Sequence, residues 1–263
     1  MEENKKYTYF ASDFHLGAPN DEKSRIREKR IVAWLNEIES TAKEIFLVGD
    51  VFDFWFEYKH AVPRGFTRLL GKISQLTDKG IPVHLFCGNH DMWMFDYFKE
   101  EIGVSIHEDE FQPTINGKKF YIAHGDGLGP GDKGYKFIKK VFRNRLCRWA
   151  FARLHPNFGI GIASYFSRKS RASNADEDSL YVGVQREWLY IFVKENHPKI
   201  QADFYIFGHR HLPLKYKIEE AHYFNLGEWL NYFTFGRFDG EQFELLTWKN
   251  NKIEAFTTIP EKQ

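Results

Sequence analysis

Ile45-Phe46-Leu47-Val48-Gly49-Asp50-Val51-Phe52-Asp53 is a short apolar run that breaks on a glycine and then presents two carboxylates. The run reads as a strand, and the glycine as the turn that ends it. The same pattern recurs four times. Residues 7–11 run into Asp13-Phe14-His15, and 83–87 into Gly88-Asn89-His90-Asp91. Residues 119–123 run into His124-Gly125-Asp126, and 203–207 into Gly208-His209-Arg210-His211. Helical patterns over 22–39, 66–79 and 97–102 alternate with these runs, which predicts an α/β fold. From Lys215 onward the pattern changes to successive strands, over 215–219, 222–225, 229–235, 242–248 and 252–257. Ligand sites in open α/β sheets lie beyond the carboxyl ends of the strands, so the five polar clusters are expected to converge.

Their chemistry is consistent. Aspartate, histidine and asparagine offer oxygen and imidazole donors without a thiolate, a set suited to manganese, iron, magnesium or zinc. Seven donors, Asp13, His15, Asp50, Asn89, His124, His209 and His211, are too many for one ion and suit two. Two ions sharing a carboxylate activate water and clamp the oxygens of an in-line phosphoryl displacement. Each cluster alone has a plain structural reading, as a turn or a helix cap. Their conjunction at five strand ends is what points to a metal centre. The glycines before Asp50, Asn89 and His209 fit turns where backbone approaches a ligand closely. The remaining histidines, among them His84 and His107, belong to no such motif and read as surface or satisfied core residues.

The chain has 263 residues, 37 basic against 36 acidic, and is 43% hydrophobic, which excludes a disordered tail or a disulfide scaffold. Two isolated cysteines, Cys87 and Cys147, predict a reducing compartment. The first residues carry no apolar leader-like run, which predicts no secretory signal. The uncharged stretch from Leu154 to Ser167 is shorter than the ~20 residues of a membrane span. Residues 133–175 hold eleven basic residues and no acidic one, leaving the rest of the chain with 26 basic against 36 acidic. Ile138, Val141, Phe142, Leu146 and Trp149 mark an apolar helix face within this segment. One reading is helices packed on the core with solvated charges outside. The other is a lid that meets an anionic, partly greasy ligand or an anionic membrane surface.

The order D-x-H, GD-x-x-D, GNH-D, lone His and GH-x-H, from Asp13 to His211, resembles the calcineurin-like metallophosphoesterase superfamily. That resemblance implies a four-layer α/β/β/α sandwich over residues 1–263, with a two-metal centre on its rim. His124-Gly125-Asp126-Gly127-Leu128 with Asp132 and Tyr135, the basic insertion, and Leu226-Gly227-Glu228-Trp229 are similar to the UDP-2,3-diacylglucosamine diphosphatase family. This chain has His90 where well-known members carry Arg, and Gly129-Pro130-Gly131 replaces a common Cys-Thr-Asp. The resemblance implies cleavage of UDP-2,3-diacylglucosamine to UMP and 2,3-diacylglucosamine 1-phosphate, a lipid A step, with residues 128–185 as a helical lid. It implies one ion, manganese first among the candidates, on Asp13, His15, Asp50 and His211. A second would sit on Asp50, Asn89, His124 and His209. His90 is then the residue facing the phosphate, with Asp91 orienting its ring, and Asp53 and Asp126 as supporting carboxylates. Asn89, Asp132, Tyr135, Arg168, Arg171, Asn174 and His209 are expected to contact substrate. The expected setting is cytoplasmic, peripheral to the anionic inner-membrane surface, with no nucleic acid and no obligate protein partner. Three alternatives stay open: a phosphoesterase for soluble nucleotides or other phosphoesters, a nuclease using the basic segment, and a scaffold without chemistry.

Overall fold

The computed structural model describes residues 6–129, 133–178, 181 and 183–257, and the side chains of all of these except 133–135 and 168–178. In chain order the elements are β1 (Tyr7–Ala11), α1 (Asp21–Ile38), β2 (Ala42–Leu47), α2 (Thr67–Asp78), β3 (Val83–Phe86), α3 (Tyr97–Glu101), β4 (Ser105–His107), β5 (Thr114–Ile115) and β6 (Lys118–Ala123). Then come α4 (Lys133–Arg143), α5 (Arg145–Phe151), α6 (Pro156–Asp178), α7 (Trp188–Ile200), β7 (Phe204–Phe207), β8 (Pro213–Ile218), β9 (Ala221–Leu226), β10 (Thr234–Phe238), β11 (Phe243–Lys249) and β12 (Lys252–Ala255).

The strands form two sheets. One has seven strands in the order β12-β11-β10-β1-β2-β3-β4, the other five in the order β5-β6-β7-β9-β8. β1 to β4 run parallel, as do β6, β7 and β9. Side chains alternate between faces along a strand, and here both faces are buried. On β1 and β2, Tyr9, Ala11, Ile45 and Leu47 face the core under α1 and α2, while Phe10 and Phe46 face the second sheet. On β6 and β7, Phe120 and Ile206 meet them, and Tyr121 and Tyr205 turn to α7. Phe10 stacks on Phe46 at 5.0 Å and on Phe120 of the other sheet at 5.8 Å. The aromatic share of 17% is thus largely the mortar between two sheets. With α1 and α2 outside one sheet and α7 outside the other, the layers are α/β/β/α.

Three contacts of α1 hold the elements next to it in place. Asn20 caps α1 by accepting from Lys23 N at 3.0 Å. Buried Arg27 of α1 then donates to the carbonyls of His15 and Ala18 at 2.6 and 2.5 Å, pinning the loop that follows β1. Glu28 of the same helix accepts from the backbone N–H groups of Arg68 and Leu69, capping α2.

Residues 229–235 do not form the expected strand. The buried Glu228 carboxylate accepts backbone N–H groups from Leu230, Asn231 and Tyr232, which curls the chain into a turn and delays β10 to Thr234. Helix α7, with Pro198 in its last turns, lies where no element was expected. Among the described residues, no helix is long and apolar enough to cross a membrane.

His84 and His107 satisfy each other on β3 and β4. His84 Nδ1 and His107 Nε2 are 2.9 Å apart, and His84 Nε2 meets Glu44 at 2.9 Å. Burial, and then the neighbouring His84, depress the His107 ring to about 4. The unfolded chain binds that proton more readily than the native one, so stability falls as pH drops from 6.5 towards 4. His107→Gln should remove roughly 1–2 kcal/mol of this loss, after discounting partial exposure. Denaturant midpoints at pH 7.5 and 5 would test it, and parallel profiles for the two proteins would refute it.

Candidate metal centre

The loops that leave β1, β2, β3, β6 and β7 meet at one rim, across the seam between the two sheets. Asp13 N and His15 N donate to the carbonyls of Gly49 and Asp50 at 3.0 and 2.9 Å. Gly208 N donates to the carbonyl of His124 at 3.0 Å. Asp91 ties two loops together, accepting from Gly88 N (2.8 Å), Phe52 N (3.1 Å) and Asp50 N (3.3 Å).

The backbone is strained where the polar side chains sit. Asp13, His15, Asp50, His209 and His211 all have positive φ, between 45° and 69°. Non-glycine residues rarely adopt this region, and they persist there when surrounding structure imposes it, commonly at functional sites. The glycines preceding Asn89 and His209 answer a steric need. A Cβ on Gly88 would overlap the Asp50 carboxylate, and one on Gly208 would lie 2.5 Å from Asp13 Oδ2. The close approach is therefore to neighbouring carboxylates of the site.

Two donor sets result. In one, His15 Nε2 and His211 Nε2 face each other at 2.9 Å, with Asp13 Oδ1 3.6 and 3.3 Å away. In the other, Asn89 Oδ1 lies 3.1 Å from His124 Nε2 and 2.9 Å from His209 Nδ1. Asp50 Oδ2 stands between them, 3.8 Å from His15 Nε2 and 3.4 Å from His124 Nε2. His124 Nδ1 donates to the Val48 carbonyl at 2.9 Å, which leaves Nε2 as the donor atom towards the site. Asp13, His15 and His211 lie close enough to hold one ion, as do Asp13, Asp50 and His124. A third group, His15, Asp53 and His90, adjoins them.

The donors fit divalent cations. Asp13 Oδ1 is buried without a hydrogen-bond partner, a costly state for a carboxylate oxygen unless it meets positive charge. Burial would raise the Asp13 carboxyl, but His15 and His211 outweigh it and hold it far below the ordinary range. Asp50 is lowered too, burial being overcome by His124, then His90 and His15. Burial disfavours a charged His124 ring, yet Asp50 lifts it to about 10. His209 falls to about 4, because burial and the adjacent His124 both oppose another cation. Two carboxylates here demand positive charge, and imidazoles that can also ligate are the available source.

The seven donors expected from sequence thus converge. His90 is placed beside them, its ring centroid 5.1 Å from that of His15 and its backbone N–H donating to Asp50 Oδ1 at 2.9 Å. Asp91 does not hold the His90 ring as expected. Its oxygens take the three backbone N–H groups above, and burial with the charge of Asp50 pushes it up to about 7. The ring nitrogen Nδ1 instead meets the Asp53 carbonyl at 3.1 Å and the Ser167 hydroxyl at 2.8 Å. Of the other expected contacts, Asp132 lies outside the described residues, as do the side chains of Tyr135, Arg168, Arg171 and Asn174.

The basic segment folds as α4, α5 and α6, and several of its cations turn inward. Lys139 pairs with Asp126 at 2.6 Å, Arg143 with Asp109 at 2.6 Å, and Arg148 with Glu108 at 3.6 Å. Phe151 packs against Phe56 and Trp93 at 4.7 and 5.0 Å. Among the described residues, the exposed large apolar side chains other than Ile26 and Phe95 all belong to this segment, including Phe137, Leu146, Trp149, Phe158 and Phe166. Ion pairs orient it on the body, Phe151 anchors it, and much of its apolar surface stays outside. The cations are thus neither all solvated nor all available to an anionic ligand or surface, because acidic side chains of the body pair with some of them.

The model of the calcineurin-like phosphoesterases matches residues 7–213. The chain belongs to this family. Over 247 residues it is 40% identical to a Porphyromonas gingivalis protein named UDP-2,3-diacylglucosamine hydrolase, covering 88% of this chain and 94% of that one. A protein of the same name from Edwardsiella ictaluri is 26% identical, covering 84% and 80%. The E. coli phosphoesterase Yfce superposes with a TM-score of 0.47 at 15% identity, over 97% of this chain and 100% of that one. Family and donor clusters together make this phosphoesterase a metal-dependent hydrolase with a candidate two-metal site.

Sequence reasoning passed over the residue between the two C-terminal ligand candidates. Buried Arg210 makes a bidentate pair with buried Glu187, at 3.0 and 3.0 Å, and lies 4.4 Å over Trp188. It fastens the His209–His211 loop to the start of α7. A charged residue between two candidate ligands, just past an apolar strand, was the available signal. Breaking a buried pair leaves an uncompensated charge, so Glu187→Gln should cost about 3–5 kcal/mol in denaturant unfolding; a loss below about 1 kcal/mol would show that the pair is dispensable. Gly208→Ala should displace Asp13 and weaken divalent-cation binding at least about tenfold. Gly71→Ala, where a Cβ meets nothing within 4 Å, serves as the control. Equal metal content in both variants by elemental analysis would contradict the steric argument.

Proposed function

We propose that this phosphoesterase hydrolyses the diphosphate of UDP-2,3-diacylglucosamine, giving UMP and 2,3-diacylglucosamine 1-phosphate. The observation that carries the proposal is the contact between the donor clusters and the apolar helices: α6 touches His90 through Ser167. A reaction centre for phosphate and a surface for acyl chains are thereby adjacent. The likeness to the Porphyromonas gingivalis hydrolase supports the same substrate.

In this reading Asp13, His15, Asp50 and His211 hold one ion, and Asp50, Asn89, His124 and His209 hold the other, with manganese as the first candidate. When bound, two such ions lower the pKa of water and neutralise phosphoryl oxygens. Asp50 supplies the shared carboxylate. Asp13 and Asp50 stay ionised because imidazoles surround them. His90, as an imidazolium with Nδ1–H held by its neighbours, presents its Nε2–H to the phosphate, stabilising the transition state or protonating the leaving group. Asn89 and His209 border the bound phosphates. Asp132, Tyr135, Arg168, Arg171 and Asn174 contact nucleotide, sugar and phosphate, and residues 128–185 act as a lid inserted in a single domain. The apolar side chains of α4 to α6 take up acyl chains, at ~0.8 kcal/mol per buried CH₂. With the exposed Lys140 and Arg145 they also rest on an anionic membrane at the cytoplasmic face.

A soluble phosphoester is the rival substrate. Purified protein with manganese should release UMP from UDP-2,3-diacylglucosamine. Phe158→Ser with Phe166→Ser should cut kcat/KM on the lipid nucleotide at least about tenfold, leaving bis(p-nitrophenyl) phosphate unaffected. No UMP, or equal loss on both substrates, would remove the lipid assignment.

A further inference from the structure

The Ser167 hydroxyl has one proton and two near neighbours. It donates to the Asp53 carbonyl at 2.8 Å, because a carbonyl only accepts. Towards His90 Nδ1, also 2.8 Å away, Ser167 is therefore the acceptor. The Asp53 carbonyl stands 3.1 Å from the same nitrogen and the Asp53 carboxylate 3.6 Å. All three groups face Nδ1, so the ring carries a hydrogen there, and the second N–H of the imidazolium, on Nε2, is turned away from them. Asp53 belongs to the loop after β2, whereas Ser167 belongs to α6 of the inserted segment. The ring is thus gripped from both sides of the boundary between body and insertion.

We infer that Ser167 is a positioning residue for His90: the inserted helix α6 sets the ring that faces the phosphate. The inference rests on the proposed role of His90. It ties the reaction to the seating of the insertion. A phosphate bound before α6 is in place meets a ring held on one side only. A hydroxyl at this point serves the ring in two ways, accepting from Nδ1 while donating to the carbonyl behind it. Alanine removes both contacts, and threonine keeps the hydroxyl.

The test is a double-mutant cycle with manganese enzyme, run on bis(p-nitrophenyl) phosphate and on UDP-2,3-diacylglucosamine. Ser167→Ala should lower kcat roughly tenfold with KM changed less than about twofold, and Ser167→Thr should recover most of it. In the His90→Ala background, Ser167→Ala should have no further effect. Multiplicative losses in the double variant, a change confined to KM, or no recovery with threonine would overturn the role of Ser167. Failure of the wild-type protein on the lipid nucleotide alone would instead overturn the substrate, while the cycle on the soluble diester still decides the coupling.

Discussion

Two carboxylates that cannot be left alone organise this molecule. Asp13 and Asp50 are buried at the rim where the two sheets meet, and an isolated carboxylate in such a place is prohibitively costly. Four loops respond by aiming imidazoles and an amide oxygen at the same volume. The strain is visible in the backbone, where five of the converging residues adopt left-handed φ. The wall behind them is rigid enough to enforce it: aromatic packing between the sheets, Arg27 on the loop after β1, Asp91 across two more loops, and the Arg210–Glu187 pair behind His209 and His211.

The inserted helices follow a different logic. Their cations are drawn to the body by Asp126, Asp109 and Glu108, while their apolar side chains remain largely outside. Partly exposed pairs of this kind contribute little to stability, typically under about 1 kcal/mol each. They suit a segment that must be oriented without being locked. Phe151 supplies the firmer anchor, in the aromatic cluster with Phe56 and Trp93.

Much of this was readable from residue order. Strands buried on both faces appear as uninterrupted apolar runs, so β1, β2, β3, β6 and β7 stood out, and the motif at each carboxyl end came with them. Where a side chain overrides propensity, reading failed: the aromatic stretch after Glu228 looks like strand, yet three backbone N–H groups converge on that carboxylate. The orientation of His90 was misassigned to Asp91 because adjacency in sequence says nothing about which face a buried carboxylate serves. Ser167 carried no local signal, being one serine in a helical pattern, 77 residues from its partner.

By itself, then, the amino-acid sequence determined the α/β class, the strand-end motifs that carry the seven candidate donors and the presence of a basic, amphipathic insertion. These depend on periodicity and residue type, which are local properties of the chain. Only the tertiary structure decided that Asp50 stands between the two donor sets, which cations of the insertion turn inward, and that α6 grips the ring of His90. Those are matters of distance between segments far apart in the chain, and packing of the two sheets and their helices sets such distances.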